Sequence, residues 1–376
     1  MRPVVYMDYN ATAPIRPEAA EAVAEALEWT GNASSVHQFG RLVRRHVEDA
    51  REAVAALVGA PPERVIFTSG GTEANNLALR GTGRARILVS AGEHDSVLHA
   101  AASAELIPLK RDGVISLSGL AAMLAAESRP ALISVMLANN ETGVIQPLSE
   151  VALLAKEFGA LVHCDAVQAA GKMPVEMAGL GVDLLSLSAH KIGGPQGVGA
   201  LIVAEGVELS PILRGGGQER GRRAGTENVA GIVGFAAAAR IAAAEPERIG
   251  RLADLRDDLE TRLRALAPAV TVFGPAAPRL PNTSCFATPG MSSETQVMGL
   301  DLAGIAVSAG SACSSGKVTR SHVLRAMGAG EAEAGTAIRV SLGWRSEAAD
   351  IERFLEAWGE LYNRCAAGTR AASPAA

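Results

Sequence analysis

Two charged side chains follow apolar runs that are typical of buried strands. Asp165 comes directly after the run 161–164, and Lys191 ends the run that begins at Asp183. Neighbouring parallel strands bring their carboxyl ends to one edge of a sheet, so the two side chains are expected to lie close together. A lysine there can form a Schiff base with an aldehyde, while a carboxylate keeps a pyridine nitrogen protonated. Either residue alone could be structural, but the pair predicts a pyridoxal 5′-phosphate (PLP) site.

A glycine turn could hold the phosphate of such a cofactor. Residues 68–73 read Thr-Ser-Gly-Gly-Thr-Glu and lie between a predicted strand and a predicted helix. The N–H groups at a helix start and nearby hydroxyls suit an anion. Many such turns only connect two elements, and this alternative stays open for the turn alone. The chain has no G-x-G-x-x-G sequence, so a dinucleotide site of the usual kind is not supported.

Cys313 is the predicted nucleophile. It stands in the small-residue run 308–316, where it has no core to pack and its thiolate could attack a soft sulfur atom. Cys164 and Cys285 lie in apolar strand candidates and are expected to be buried and structural. With no C-x-x-C pair and no H-E-x-x-H, the sequence argues against a zinc site or a disulfide framework.

His94 is the candidate for proton transfer. It lies in the loop 93–96 between a strand and a helix, and a histidine near its ordinary pKa of about 6.5 can exchange protons at neutral pH. The other histidines have no equally clear chemical task. His99 and His322 are interpreted as packing or surface residues, and His37 and His163 as structural ones.

The elements that must position these residues follow an α/β rhythm. Apolar strand candidates alternate with helical stretches, which predicts a mainly parallel sheet covered by helices on both faces. After about Arg251 the pattern changes to a long charged helix and short strands, typical of a smaller α+β domain. We therefore expect a large domain over 16–250, a small domain over 1–15 and 251–365, and a disordered tail over 366–376. The strand candidates are 64–68, 86–90, 132–136, 160–164, 184–188, 199–203, 270–273, 284–287, 305–308 and 338–342.

Composition limits the possible partners. The chain has 376 residues, 48% of them hydrophobic, and a net charge of -5. That charge indicates no binding to nucleic acid or an anionic membrane, and the start of the chain lacks an export signal. Small molecules and proteins are the expected partners, and the cytoplasm is the expected compartment.

Motifs along nearly the whole chain carry a family resemblance. They are the segments 6–12, 34–37, 71–73, 139–143, 188–191 and 215–220. In these segments the chain resembles the cysteine desulfurases of the class-V aminotransferase fold, in their iron-sulfur-cluster and nitrogen-fixation branch. The resemblance implies PLP-dependent transferase fold type I, and an activity that converts L-cysteine to L-alanine.

The resemblance also implies a role for each matched position. Lys191 would be the Schiff-base lysine, with Asp165 at the pyridine nitrogen and Gln168 at the ring hydroxyl. Asn140 and Arg339 would meet the substrate, the arginine gripping its carboxylate. The remaining cofactor contacts would be Thr72, Ser188 and His190 at the phosphate, Glu73 beside it through its backbone, His94 stacked on the ring, and Thr226 at the phosphate of a partner subunit.

The same resemblance implies how sulfur leaves the enzyme. Cys313 would carry it as a persulfide and pass it to an acceptor such as an iron-sulfur cluster scaffold, and it could transiently ligate a cluster. No other metal site is expected, and Thr226 makes a homodimer the expected assembly. Lys317 and Arg320 could favour an acidic acceptor surface, although a solvated loop is the preferred interpretation.

Three other functions are compatible with parts of this pattern. A PLP aminotransferase would use Asp165 and Lys191 without needing Cys313. A selenocysteine lyase would need nearly the same pocket, because selenium and sulfur are chemically close. A non-catalytic sulfur-scaffold partner would keep the fold, but the joint presence of Lys191, Asp165, His94 and Cys313 argues against it.

Overall fold

A seven-stranded sheet forms the centre of the larger part of the molecule. The computed structural model describes residues 4–101, 103–245, 247–309 and 320–372. The strand order of the central sheet is β2-β8-β7-β6-β5-β3-β4. The strands are β2 Val65–Thr68, β3 Arg86–Ser90, β4 Glu105–Ile107, β5 Ala131–Ser134, β6 Leu161–Asp165, β7 Leu184–Ser188 and β8 Gly199–Val203.

The sheet is mainly parallel, as predicted, but β8 runs antiparallel to both of its neighbours. A parallel connection needs a crossover of a dozen or more residues, usually through a helix. The segment between Ser188 and Gly199 is shorter and contains only one helical turn, over Ala189–Lys191. The chain therefore reverses, and Ser188 pairs directly with Gly199. Strand β4 was not predicted, because it has only three residues at the sheet edge, and of these only Ile107 is buried.

Helices cover both faces of this sheet. The helices of this part are α1 Pro17–Leu27, α2 Gln38–Ala56, α3 Gly71–Gly81, α4 Asp95–Leu98, α5 Leu117–Ala126, α6 Leu148–Glu157, α7 Met177–Leu180 and α8 Val229–Ala244. Helix α8 packs on both α1 and α2, while α3 packs against β6, β7 and β8. Helix α1 begins with proline, whose missing N–H costs nothing in a first turn.

A second core lies around Trp358, Phe354 and Phe286, all fully buried. Residues from the start of the chain, Val5 and Met7, join it. The sheet there has the order β12-β13-β10-β9, and β1 pairs in parallel with β11. The elements are β1 Val5–Tyr6, α9 Glu247–Leu266, β9 Thr271–Val272, β10 Thr283–Ala287, α10 Ser293–Leu302, β11 Ile305–Ala306, β12 Ser308–Ala309, α11 His322–Ala326, α12 Glu331–Ala334, β13 Ala337–Ser341 and α13 Ala348–Ala372. The division into two domains stays a prediction.

The first residues of the tail expected from residue 366 are helical, and the disorder of the tail stays a prediction. Helix α13 continues to Ala372. Alanine and arginine are strong helix formers, so small residues after a packed helix can extend it. The last residues of the expected tail, 373–376, lie outside the described part of the chain. Over the residues that the structure describes, every helix is too short or too polar to cross a membrane.

Candidate active site

A cavity of about 340 Å³ opens at the carboxyl ends of the central strands. This is the edge where open α/β sheets place their ligands. Nine residues singled out in the sequence line it together, although they come from six separate segments of the chain. They are Thr72, His94, Asn140, Asp165, Gln168, Ser188, His190, Lys191 and Arg339.

Asp165 is the last residue of β6 and is only 6% exposed. Its Oδ1 atom accepts a hydrogen bond from the backbone N–H of Val167 at 3.0 Å, and its Oδ2 atom accepts one from Asn75 Nδ2 at 2.8 Å. Since a carboxylate has about four acceptor positions, Asp165 can take a further donor from the cavity.

Lys191 lies in the helical turn that follows β7. Its Nζ atom donates hydrogen bonds to the backbone carbonyls of Asn10 at 2.6 Å and Ala11 at 2.7 Å. Both acceptors belong to the N-terminal segment after β1, which therefore forms a wall of the cavity. Because β6 and β7 are adjacent and parallel, Asp165 and Lys191 line the same cavity, as predicted.

The start of α3 provides an anion-binding end. Gly70 has a φ of 152°, and a Cβ atom at Gly71 would come within 3.0 Å of Val167 Cγ2, so the turn needs glycine. The first N–H groups of the helix have no intrahelical acceptor and carry its positive dipole end. Thr72, Ser188 and His190 line the same cavity. Burial and the neighbouring lysines lower the pKa of His190 to about 4, so its ring is neutral at pH 7.

Arg339 enters from β13 and is 2% exposed. Its guanidinium donates to the carbonyl of Asn140 at 2.9 Å and to Asp8 Oδ1 at 2.7 Å. Asp8 is held in turn by Ser308 Oγ, which donates to Oδ2 at 2.7 Å. Among the described residues, Arg339 Nε is buried and has no hydrogen-bond partner. A fixed guanidinium with a donor to spare suits a ligand carboxylate.

His94 caps the start of α4. Its Nδ1 atom accepts a hydrogen bond from the backbone N–H of Ser96 at 3.1 Å. The neutral ring therefore carries its proton on Nε2. The ring lines the cavity, where it can face a planar ligand.

Two of the predicted site residues that the structure describes, Glu73 and Thr226, do not line the cavity. The Glu73 carboxylate accepts hydrogen bonds from the guanidinium of Arg223 at 2.8 Å and from the backbone N–H of Ser69, within the turn, at 2.8 Å, and it does not line the cavity. Thr226 is exposed to solvent. Cys313 lies outside the described residues.

The other two cysteines that the sequence assigned are structural, as predicted. Cys164 and Cys285 are both fully buried, and burial raises the pKa of each thiol. In the part of the chain that the structure describes, no group of three or more histidine, cysteine, aspartate or glutamate side chains could hold a metal ion.

Several polar residues of the site were missed. Asn75 binds Asp165, Asn10 binds Lys191 through its carbonyl, and Lys172 donates to Gln168 Oε1 at 2.5 Å. Of these residues, Asn75 could have been found from the sequence, because it follows Thr72 by about one turn of the predicted helix. Asn10 gave no signal of its own, since it approaches from a distant part of the chain.

Comparison with known proteins gives a consistent result. Residues 5–354 match the family model described as aminotransferase class-V. A cysteine desulfurase of Cereibacter sphaeroides is 46% identical over 367 residues, covering 94% of each chain. The cysteine desulfurase IscS of Dictyoglomus turgidum is 42% identical over 371 residues, covering 95% of this chain and 94% of the relative. The crystal structure of a NifS-like protein from Rickettsia africae superposes with a TM-score of 0.89 at 34% identity, covering 96% of this chain and 99% of that one.

Proposed function

We propose that this chain, which is a cysteine desulfurase of the aminotransferase class-V family, moves the sulfur of L-cysteine onto Cys313 and passes it on to an acceptor protein. The observation that carries this assignment of residues is the meeting of Asp165, Lys191 and Arg339 in one cavity. No other described cavity combines a strand-end carboxylate, an amine and a buried arginine.

The residues present fit PLP, on which this family depends. The glycine turn at Gly71 leaves a cradle that a Cβ atom would fill, and the α3 N-terminus offers N–H donors to a phosphate. Thr72, Ser188 and His190 would add further contacts to it. Asp165 would accept from the ring nitrogen, Gln168 would donate to the ring oxygen, and His94 would stack on the ring.

Bound PLP supplies a ring that takes up the electron pair left when a Cα–H bond of the substrate is broken. Lys191 Nζ would hold the aldehyde carbon at rest and remove the Cα proton during turnover. Arg339 would orient the substrate through its carboxylate, helped by Asn140. Because Arg339 is buried, it would act in a low dielectric, where charged hydrogen bonds are stronger.

Cys313 would carry out the sulfur step. Its thiolate attacks the substrate sulfur, a new S–S bond forms, and the Cβ–S bond of the substrate breaks. The electron pair of that bond stays with Cβ, which takes up a proton, and the released product is L-alanine. The sulfur remains on Cys313 as a persulfide, ready for a second thiol.

Product release by wild type and by Cys313→Ala tests this assignment. Both proteins are given L-cysteine and a reductant, and alanine and sulfide are measured together with the visible absorption of the lysine-bound cofactor. We expect the variant to lose both products and keep the absorption. Undiminished turnover in the variant would mean that another PLP reaction, or a lyase without a persulfide, operates here.

A homodimer completes the site in this proposal. Thr226 is exposed and lies outside the cavity of its own chain, which supports a contact with a partner's phosphate. Exposed apolar side chains at the start of α2 offer a surface for the partner. They are Val36, Phe39 and Leu42, which are 87%, 61% and 51% exposed.

Mixing two inactive variants tests this sharing. Lys191→Ala lacks the amine and Thr226→Ala lacks the hydroxyl. If the hydroxyl acts in trans, a mixed dimer contains one fully intact site, and turnover with firm cofactor retention returns on mixing. If it acts within one chain, or if the protein is a monomer, mixing restores neither. Light scattering gives the assembly state independently.

The acceptor is proposed to be a protein that carries cysteine thiols, such as an iron-sulfur cluster scaffold. The hypothesis that Arg320 attracts an acidic acceptor is weakened, because this side chain forms an ion pair with Glu331 within its own chain. Lys317 lies outside the described residues. Charge reversal at both positions, with radioactive sulfur followed from L-cysteine to a scaffold, tests whether they matter.

A further inference from the structure

A second lysine is buried beside the cavity. Lys172 follows Gln168 by four residues, in the turns after β6, and is 7% exposed. Its Nζ atom donates to Gln168 Oε1 at 2.5 Å and to Asn10 Oδ1 at 2.9 Å. Buried lysines are uncommon, because removing an ammonium from water is costly. The position therefore needs a reason beyond packing.

The contact with Lys172 fixes the orientation of the Gln168 amide. With Oε1 held by the amine, the NH₂ group must point the other way, and Nε2 donates to the Asn10 carbonyl at 2.9 Å. That carbonyl also accepts from Lys191 Nζ at 2.6 Å. An amide NH₂ has two donors, so the second N–H of Gln168 can serve a ligand in the cavity.

The surroundings of Lys172 favour the neutral amine. Burial, and then the positive charges of Lys191 and Arg339, lower the pKa of Lys172 well below its ordinary value. A neutral amine has two N–H donors, which matches the two acceptors that Lys172 has. The other charged groups nearby are Arg16 and Glu245, which line a small cavity of about 50 Å³ with both lysines and are themselves paired at 3.0 Å.

We propose that Lys172 is a positioning residue for the cofactor: it holds the Gln168 amide with its NH₂ toward the cavity and fixes Asn10 against Lys191. This inference rests on the proposed function, because the PLP of that proposal supplies the ring oxygen that Gln168 binds. Without Lys172, the Gln168 amide could flip so that its carbonyl oxygen faces the ring oxygen, and the two oxygen atoms would repel each other.

The test uses the holoenzymes of wild type, Lys172→Met, Gln168→Ala and the double variant. The visible absorption band is titrated with pH, and PLP retention is measured after dialysis. Lys172→Met should shift the pH midpoint of the band and speed cofactor loss roughly five- to tenfold, the effect of one lost buried hydrogen bond. In the Gln168→Ala background the same substitution should add little, because Lys172 acts through Gln168.

Two controls separate positioning from packing. Lys156→Met removes an exposed lysine and should leave the band and cofactor retention unchanged. Lys172→Gln keeps a neutral donor and should lie closer to wild type than Lys172→Met, and it serves as the comparison if the methionine variant does not fold.

The outcomes are distinct. An unshifted midpoint in Lys172→Met, or equal shifts with and without Gln168, would overturn the inference and leave a packing role. A wild-type protein that gains no visible band with PLP would overturn the proposed function itself.

Discussion

His163 should make the folded protein sensitive to mild acid, and its replacement should remove that contribution. The ring is fully buried in β6, with Nδ1 2.8 Å from Ser134 Oγ and Nε2 2.9 Å from Ser186 Oγ. Burial lowers the pKa of His163 from 6.5 to about 3. The ring therefore stays neutral in the folded chain at pH values where an unfolded chain protonates it.

The sign and size of the effect follow from this difference. Between pH 6.5 and about 3 the unfolded chain binds one more proton at His163 than the folded chain, so the free energy of unfolding falls as the pH falls. Each pH unit is worth about 1.4 kcal/mol. The contribution of His163 to the free energy of unfolding should therefore be lower by about 2 kcal/mol per chain at about pH 5 than it is well above pH 6.5.

Glu141 acts in the opposite direction over part of this range. Burial raises its pKa from 4.5 to about 7, so the contribution of Glu141 is fully present below pH 4.5 and is lost as the pH rises through 7. The slope of the wild type alone mixes the two residues. The informative quantity is the difference in unfolding free energy between wild type and a variant at each pH.

His163→Gln is the suitable variant, since glutamine is neutral and can still bond to hydroxyl groups. Urea unfolding followed by tryptophan fluorescence at about pH 5, 6 and 7 gives the difference. We expect the advantage of the wild type to shrink by about 2 kcal/mol from about pH 6.5 to 5. His99→Gln, which removes an exposed histidine, is the control. An advantage that stays constant over this range would refute the reasoning.

Three further substitutions have definite expected results. Glu219→Gln should lower the free energy of unfolding in urea by about 3 kcal/mol, because the buried Arg51, now paired with Glu219 at 2.8 Å, would keep only the half-exposed Glu48 as a charged partner. Arg339→Lys should lower kcat/KM for L-cysteine roughly 100-fold, mostly through KM, because lysine lacks the planar fork; steady-state alanine release measures this. Glu141 should contribute about 3 kcal/mol less to the free energy of unfolding at about pH 7 than at about pH 4.5, and Glu141→Gln should remove this pH-dependent contribution, which urea unfolding across that range measures.

Each of these results has a control. Arg51→Met combined with Glu219→Gln should recover much of the stability lost in the single variant, because no buried charge is then left unpaired. Arg339→Lys should keep the visible absorption of the cofactor, and an unchanged KM would contradict its role at the substrate carboxylate. For Glu141→Gln, a difference from wild type that does not vary with pH would contradict the raised pKa.

Local sequence patterns predicted the strands that carry the site. The strands 86–90, 184–188 and 199–203 have the predicted bounds, because each is a short apolar run between turn residues. The same runs predicted that Asp165 and Lys191 would reach one edge, since that follows from parallel neighbours. Such patterns do not contain strand direction, which is why the reversal of β8 was missed: it depends on the length of the connection.

The polar network around the predicted residues needed the folded structure. Asn10, Asn75 and Lys172 are ordinary polar residues in the sequence, and only tertiary packing brings them to Lys191, Asp165 and Gln168. The burial of Lys172 in particular contradicts the usual preference of lysine for solvent. The roles that the resemblance implies for individual side chains remain predictions for the experiments above.

The N-terminal segment also sets an order for assembly during synthesis. Val5 pairs with Ile305, the N–H of Asn10 bonds to Ser341 Oγ at 3.0 Å, and Asn10 Nδ2 bonds to Thr283 Oγ1 at 2.8 Å. This segment must therefore wait until the chain as far as Ser341 has been made before it can take its place over Lys191. A ribosome-bound chain can build the central sheet earlier, but the wall that receives the lysine amine forms only after β13 has been made, so a chain that stops before Ser341 cannot present a finished site to its cofactor.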